Sequence, residues 1–150
     1  MLQDASATEA LGGLLAKEIS DRPGSWLIML KGSLGTGKST LARGFLRALG
    51  YEGRVPSPTY TLLEPYDIGG RSVLHADLYR LTNPEELEYL GFQDAFSNDT
   101  VALIEWPERA GSALRTPDLT IELEISATGR KAMVTAQSER GQDLLEALLT

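Results

Sequence analysis

Apolar positions along the 150-residue chain follow two rhythms, and the switches between them mark out its elements. From Ser6 to Ile19, residues Ala10, Leu11, Leu14, Leu15 and Ile19 share one side of a helix, with Ser6 and Glu9 spaced as a capping box. Asp21-Arg22-Pro23-Gly24 ends that segment. Ser25-Trp26-Leu27-Ile28-Met29-Leu30 is a short apolar run that predicts a strand. Leu41, Phe45, Leu46 and Leu49 then return to helical spacing until Gly50 stops them. Between Arg54 and Tyr60, Pro56 and Pro58 fix φ and bias Val55 and Ser57 toward extended backbone, which predicts a stiffened loop.

The second half is richer in strands. Thr61 to Ile68 and Arg71 to Asp77 flank Gly69-Gly70 and predict an antiparallel hairpin, and Pro65 sends its first strand toward an edge or a bulge. Asn83-Pro84-Glu85-Glu86 opens a short N-capped helix that Gly91 ends, and a second short turn surrounds Asp94-Ala95-Phe96. Thr100 to Glu105 is an unbroken apolar run closed by an acid, as expected of a strand buried on both faces, and Trp106-Pro107 breaks it. Asp118 to Ile125 and Lys131 to Gln137 alternate across Thr128-Gly129 as a second hairpin. A last helix, about Arg140 to Leu149, presents Leu144, Leu145, Leu148 and Leu149. No repeat, low-complexity tract or linker interrupts residues 1–150, so a single domain is expected.

Between the first strand and the second helix, Gly32, Gly37, Lys38 and Ser39 fill the fixed positions of the G-x-x-x-x-G-K-[ST] phosphate-binding loop. Glycines let the backbone curl until successive amides point inward at an anion. A helix opening at Lys38 aims its unpaired amides and positive dipole end at the same place. Lys38 then reaches β- and γ-phosphate oxygens, the Ser39 hydroxyl is placed to ligate Mg²⁺, and Ser33, Leu34, Gly35, Thr36 and Thr40 complete the nucleotide cradle. The bland alternative is a glycine-rich turn without a ligand; the strand before and the helix after favour the loop. The fold predicted is α/β of the P-loop NTPase type: a mixed sheet with a parallel core and antiparallel hairpins, flanked by helices.

Catalysis at such a loop needs carboxylates on neighbouring strands to hold metal or orient water. Val101-Ala102-Leu103-Ile104-Glu105 has the apolar-run-plus-acid form, and Val73-Leu74-His75-Ala76-Asp77 ends the same way although His75 interrupts it. Strands running parallel to the loop's own strand would bring both acids to its edge; otherwise each is an ordinary capping or surface-paired carboxylate. Thr59 reads equally as a hydroxyl for the γ-phosphate or its metal, and as a Thr that opens a strand. Trp106 either stacks near a nucleotide or fills the core. His75 reads as a core residue, because no second His exists to build a metal site with it. The Asn-Lys-x-Asp tetrad that reads guanine is absent from the sequence, which favours adenine.

Composition narrows the partners. With 42% hydrophobic and 23% charged residues the chain reads as globular, and its formal net charge of −7 argues against non-specific nucleic-acid binding, so no DNA contact is expected. Without cysteine there is no disulfide, thiolate metal site or cysteine nucleophile. Apolar runs fall short of the ~20 residues that span a bilayer, and the acidic first residues lack a signal-peptide core, so no membrane and a cytoplasmic setting are expected.

Gly32 to Thr40, Ser57-Pro58-Thr59-Tyr60, His75-Ala76-Asp77-Leu78-Tyr79-Arg80 and Ile104-Glu105-Trp106-Pro107 occur in the order and spacing of the bacterial TsaE (YjeE) family, which the chain resembles from about Leu11 to Leu123. Ser39 stands where many members have Thr, and Ala76 fills a variable slot. The resemblance implies an ATPase required to form threonylcarbamoyladenosine (t6A) on tRNAs that read codons beginning with A. In that family TsaC-type enzymes make threonylcarbamoyl-adenylate, and TsaD with TsaB transfers the group to tRNA. The resemblance also implies that the chain binds the TsaD–TsaB pair, meets tRNA through that complex and resets it by hydrolysing ATP. It carries phosphate and Mg²⁺ roles onto Lys38 and Ser39, a switch-like role onto Thr59, and essential acids onto Asp77 and Glu105 with Trp106 beside them. Of the two acids, Glu105 is expected at the metal and Asp77 at the attacking water. Slow turnover is expected of the lone chain, since no arginine is evidently committed to the γ-phosphate; Arg43, Arg47, Arg54 and Arg80 are candidates for that role or for partner and tRNA contact. The rivals are a small-molecule or nucleoside kinase, although only Arg71 and Arg80 stand where a basic lid would be, and a non-hydrolysing nucleotide-gated module.

Overall fold

A computed structural model describes residues 2–56, 62–89, 91–96 and 99–149. Along them run α1 (Ala5–Ser20), β1 (Trp26–Lys31), α2 (Lys38–Ala48), β2 (Leu63–Ile68), β3 (Arg71–Asp77), α3 (Glu86–Tyr89), α4 (Phe92–Ala95), β4 (Thr100–Glu105), β5 (Leu119–Ser126), β6 (Gly129–Ala136) and α5 (Glu139–Leu149). The strands form one six-stranded sheet in the order β2-β3-β4-β1-β5-β6. β3, β4, β1 and β5 are mutually parallel, while β2 and β6 close the two edges as antiparallel partners of β3 and β5. The expected α/β architecture is therefore present, and Pro65 sits on an edge strand, where its missing donor costs no ladder bond.

Every residue of β4 is buried, as its unbroken apolar run demands, because helices cover both faces of the sheet. On one face, Ile28, Leu30, Val73, Val101, Leu103 and Ile121 pack beneath Leu15 and Ile19 of α1, Leu41 and Phe45 of α2, and Leu144 of α5. On the other, Leu27, Leu74, Ala76, Ala102 and Ile104 meet Leu78, Leu87 and Phe92 around the one-turn helices. The register sets Asp77 beside Glu105 and Glu105 beside Leu30, so both acids end their strands level with the start of the glycine loop. Among the described residues no helix is long and apolar enough to cross a membrane.

Three sequence expectations shift. α1 is capped by Asp4, whose carboxylate accepts from the Ala7 amide at 2.9 Å, and Glu9 pairs instead with Arg43 at 3.1 Å, so the expected box at Ser6 does not form. Leu14 is 53% exposed, and the face of α1 that packs inward is Thr8, Gly12, Leu15, Ala16 and Ile19. Leu149 at the end of α5 is likewise exposed, at 78%. The cause of the rotated α1 face lies in two glycines. A Cβ on Gly12 would stand 2.1 Å from the Leu41 carbonyl oxygen, and one on Gly44 would stand 2.2 Å from that of Glu9. The α1 and α2 backbones thus touch directly, and this contact fixes the orientation of the helix that opens at Lys38.

The end of the sheet away from the loop is closed by charged side chains bonded to backbone. Arg71 donates to the carbonyls of Ile19, Arg22 and Gly24 at 2.7–2.9 Å. Arg140 donates to those of Pro23 and Ser25. Asp118 accepts from the Leu27 amide at 2.9 Å and from the Ser138 hydroxyl at 2.8 Å.

Gly→Ala inside a helix normally adds up to ~1 kcal/mol of stability. At Gly12 or Gly44 the clash reverses that sign: each alanine variant is expected to lose about 1–3 kcal/mol, lowering Tm by about 2–4 °C per kcal/mol. An unchanged or raised melting temperature in either variant would show that the two helices do not approach this closely.

Candidate phosphate-binding site

The loop after β1 owes its shape to contacts that leave no room at its first glycine. Gly32 has φ +144°, and a Cβ there would lie 2.6 Å from both the Leu123 carbonyl oxygen and the Thr36 hydroxyl. The buried Thr36 hydroxyl donates to the Ser33 carbonyl at 2.9 Å and ties the turn together from inside. Gly37, at φ 107°, is the left-handed residue before α2, and its carbonyl accepts the Leu41 amide at 2.9 Å. From β6, Arg130 donates to the Gly35 carbonyl at 3.2 Å and braces the outer side of the loop. The first amides of α2 have no partner within the helix and supply the donors an anion needs there.

Lys38, Ser39, Asp77, Glu105 and Trp106 meet with loop residues Leu34 to Thr40 around one cavity of about 310 Å³. The Lys38 ammonium donates to the Gly32 and Ser33 carbonyls, the latter at 3.1 Å, and lies 4.0 Å from the Trp106 ring centre. Burial pushes its pKa below the ordinary lysine value, against the upward pull of Glu105, Asp77 and Glu108. A phosphate in the cavity offers that ammonium the opposite charge that burial makes favourable. The Ser39 hydroxyl donates to Glu105 at 2.9 Å (Oε2) and 3.2 Å (Oε1). Asp77 accepts from the Tyr79 amide at 3.0 Å, which turns the chain just past the end of β3. Trp106 adopts φ 56°, a left-handed value that costs a non-glycine residue about 1–2 kcal/mol, and its ring packs on Tyr79 with centres 4.9 Å apart. It forms a wall of the cavity and touches the core behind it.

A second cavity of about 180 Å³ lies against the same loop and shares Gly35, Thr36, Gly37 and Thr40; Gln3, Asp4, Thr8 and Arg130 are among the residues that line the rest of it. Arg130 and Thr8 were not legible as site residues, since the fold alone brings Arg130 across 95 residues of sequence to the Gly35 carbonyl. His75 is buried as expected, but its Nε2 stands 2.6 Å from Glu105 Oε2, a contact its place two residues before Asp77 hints at without specifying. Arg43 pairs with Glu9, and Arg47 donates to the Tyr51 and Gly53 carbonyls at the end of α2, so both are held by their own chain. Thr59, with Ser57, Pro58, Tyr60 and Thr61, lies outside the described residues.

For Mg²⁺, Ser39 and the two carboxylates are hard oxygen donors of the kind this ion takes together with phosphate oxygens and water. Among the described residues no three His, Cys, Asp or Glu side chains gather into a metal cage. Gly32→Ala is expected to weaken pyrophosphate or nucleotide binding by at least about tenfold, ~1.4 kcal/mol, in titration calorimetry. Gly35→Ala, strained by a φ of +80° but with nothing within 4 Å of its added carbon, is expected to cost less than Gly32→Ala, which meets both strain and crowding. Equal affinities in the two variants would refute the crowding at Gly32.

Comparison with known proteins points to one family. The family model described as "Threonylcarbamoyl adenosine biosynthesis protein TsaE" matches residues 2–133. A Haemophilus influenzae protein named tRNA threonylcarbamoyladenosine biosynthesis protein TsaE is 42% identical over 121 residues, covering 81% of this chain and 77% of its own. A Rickettsia felis protein of the same name is 33% identical over 151 residues, covering 98% and 86%. Among solved structures, the crystal structure of Bacillus subtilis YdiB superposes with a TM-score of 0.77 at 26% identity, covering 97% of this chain and 89% of that one. On the match over residues 2–133, and with its glycine loop and paired acids in the places described, the chain belongs to the TsaE family.

Proposed function

We propose that this protein binds Mg²⁺-ATP in the Lys38 cavity and hydrolyses it slowly, in the service of t6A formation on tRNA. The observation that carries the reading is the convergence of Lys38, Ser39, Asp77 and Glu105 on one cavity beside a glycine loop. The tRNA role comes from the names of its relatives. Loop amides and Lys38 would hold the β- and γ-phosphates, and a second cavity opens on the same loop. Bound Mg²⁺ would neutralise charge on the phosphates, held by the Ser39 oxygen with Glu105 beside it. Ser39 gives its hydrogen to Glu105, which leaves a hydroxyl lone pair directed elsewhere.

Asp77, level with Glu105 at the end of the adjacent strand, orients the attacking water. Water oxygen bonds to the γ-phosphorus, the bond to the β-bridging oxygen breaks, and ADP and phosphate leave with one proton released to solvent. Thr59 is assigned to the γ-phosphate side as a switch-like residue. An arginine of the kind that speeds such reactions by ~10³–10⁵ is assigned to the partner, TsaD with TsaB; of the chain's own candidates, Arg43 and Arg47 bond within the chain. Resetting of that pair between turnovers is the role assigned to hydrolysis.

Asp77→Asn and Glu105→Gln are each expected to lower ATP turnover by about 10² or more, in line with the loss of a positioned acid or base. Titrating TsaD–TsaB into the wild-type chain is expected to raise turnover many-fold, and a flat rate across the titration would overturn partner-completed catalysis. Labelled γ-phosphate is expected in inorganic phosphate; label in a metabolite would establish the kinase instead. Nucleoside digests of tRNA from a strain depleted of this protein are expected to lack t6A.

A further inference from the structure

His75 is only 1% exposed and Glu105 3%, and they are the most closely spaced charged or titratable pair among the described ion pairs, at 2.6 Å. They lie on the same face of the sheet: His75 stands opposite Leu103 on β4, and its ring leans forward along the strands to meet Glu105, two residues on. An ionised carboxylate accepts only, so the hydrogen lies on His75 Nε2. Nδ1 is buried without a partner among the described residues, so the ring's bond is made through Nε2, which faces Glu105. Glu105 Oε2 thus accepts from two directions, His75 on its own sheet and Ser39 on α2.

The consequence concerns Lys38. Of the charges that act on this ammonium, Glu105 exerts the largest pull, yet Lys38 bonds to the Gly32 and Ser33 carbonyls, and no ion pair joins it to Glu105 among the described residues. A carboxylate that swung onto Lys38 would neutralise the ammonium and occupy the place where phosphate must sit. We propose that His75 is a positioning residue: with Ser39 it clamps the Glu105 carboxylate from two sides, which keeps it at the metal-binding hydroxyl and off Lys38. The proposal rests on the nucleotide reading of this cavity for its effect, but the clamp itself is a property of the protein alone.

The test uses His75→Leu, His75→Gln, Glu105→Gln and the His75→Leu/Glu105→Gln double variant. Gln puts an amide donor near the position of Nε2, and Leu fills the space without one. Titration calorimetry with Mg²⁺ and a non-hydrolysable ATP analogue is expected to show at least a tenfold loss of affinity for His75→Leu and less than threefold for His75→Gln. In the Glu105→Gln background, His75→Leu is expected to change affinity less than twofold, since a neutral amide has no drive to reach Lys38. Equal losses for Leu and Gln, an unchanged affinity in His75→Leu, or a full tenfold loss in the Glu105→Gln background would each overturn the clamp. If the wild-type chain binds no nucleotide, the functional reading fails separately, and the clamp is judged from melting temperatures of the same proteins. A double-variant loss smaller than the sum of the single losses supports it, and a simple sum overturns it. Should His75→Leu not fold, His75→Asn, whose amide is too short to reach Glu105, takes its place in every comparison.

Discussion

The parallel pairing of β3, β4 and β1 is the constraint from which the site follows. Parallel strands end in the same direction, so residues that finish them are brought level without any long-range design of side chains. Asp77, Glu105 and Leu30 occupy matched positions, and the glycine loop leaves the sheet one residue after β1 ends at Lys31. A slip of one residue between β4 and β1 would turn Glu105 toward the short helices and point Ile104 at Ser39. Burial of Val101, Leu103 and Glu105 on one face, against Ala102 and Ile104 on the other, holds the register where chemistry needs it.

That arrangement sets a buried carboxylate and a buried ammonium near each other in the same cavity, which is costly unless each has partners of its own. The protein meets the cost by separating them. Lys38 is satisfied by two loop carbonyls and the face of Trp106, while Glu105 is satisfied by Ser39 and His75. The left-handed backbone at Trp106 belongs to the same solution, since it turns the chain directly after Glu105 and swings the indole under the ammonium.

Much of this was legible in the sequence, and the limits are physical. Strands β1 and β4 and the helix after the loop follow from apolar runs and spacing, and Pro65 and Gly69-Gly70 locate an edge hairpin, because these signals are local. The paired acids were legible because a strand that ends in a carboxylate is itself a pattern. The inward face of α1 was not. Apolar spacing puts Leu14 inside, whereas Gly12 decides the matter through a backbone contact with α2 that hydrophobicity does not register. Arg130 and the bond between His75 and Glu105 were hidden for a related reason: each is created by juxtaposition of distant segments, and neither residue type announces its partner.

The bonds made by Arg71, Arg140 and Asp118 all lie where β1, β3 and β5 begin, opposite to the ends that carry the loop and the acids. Cohesion and chemistry are thereby segregated along the strand axis. A substitution at the reactive rim therefore leaves the fasteners at the far margin in place.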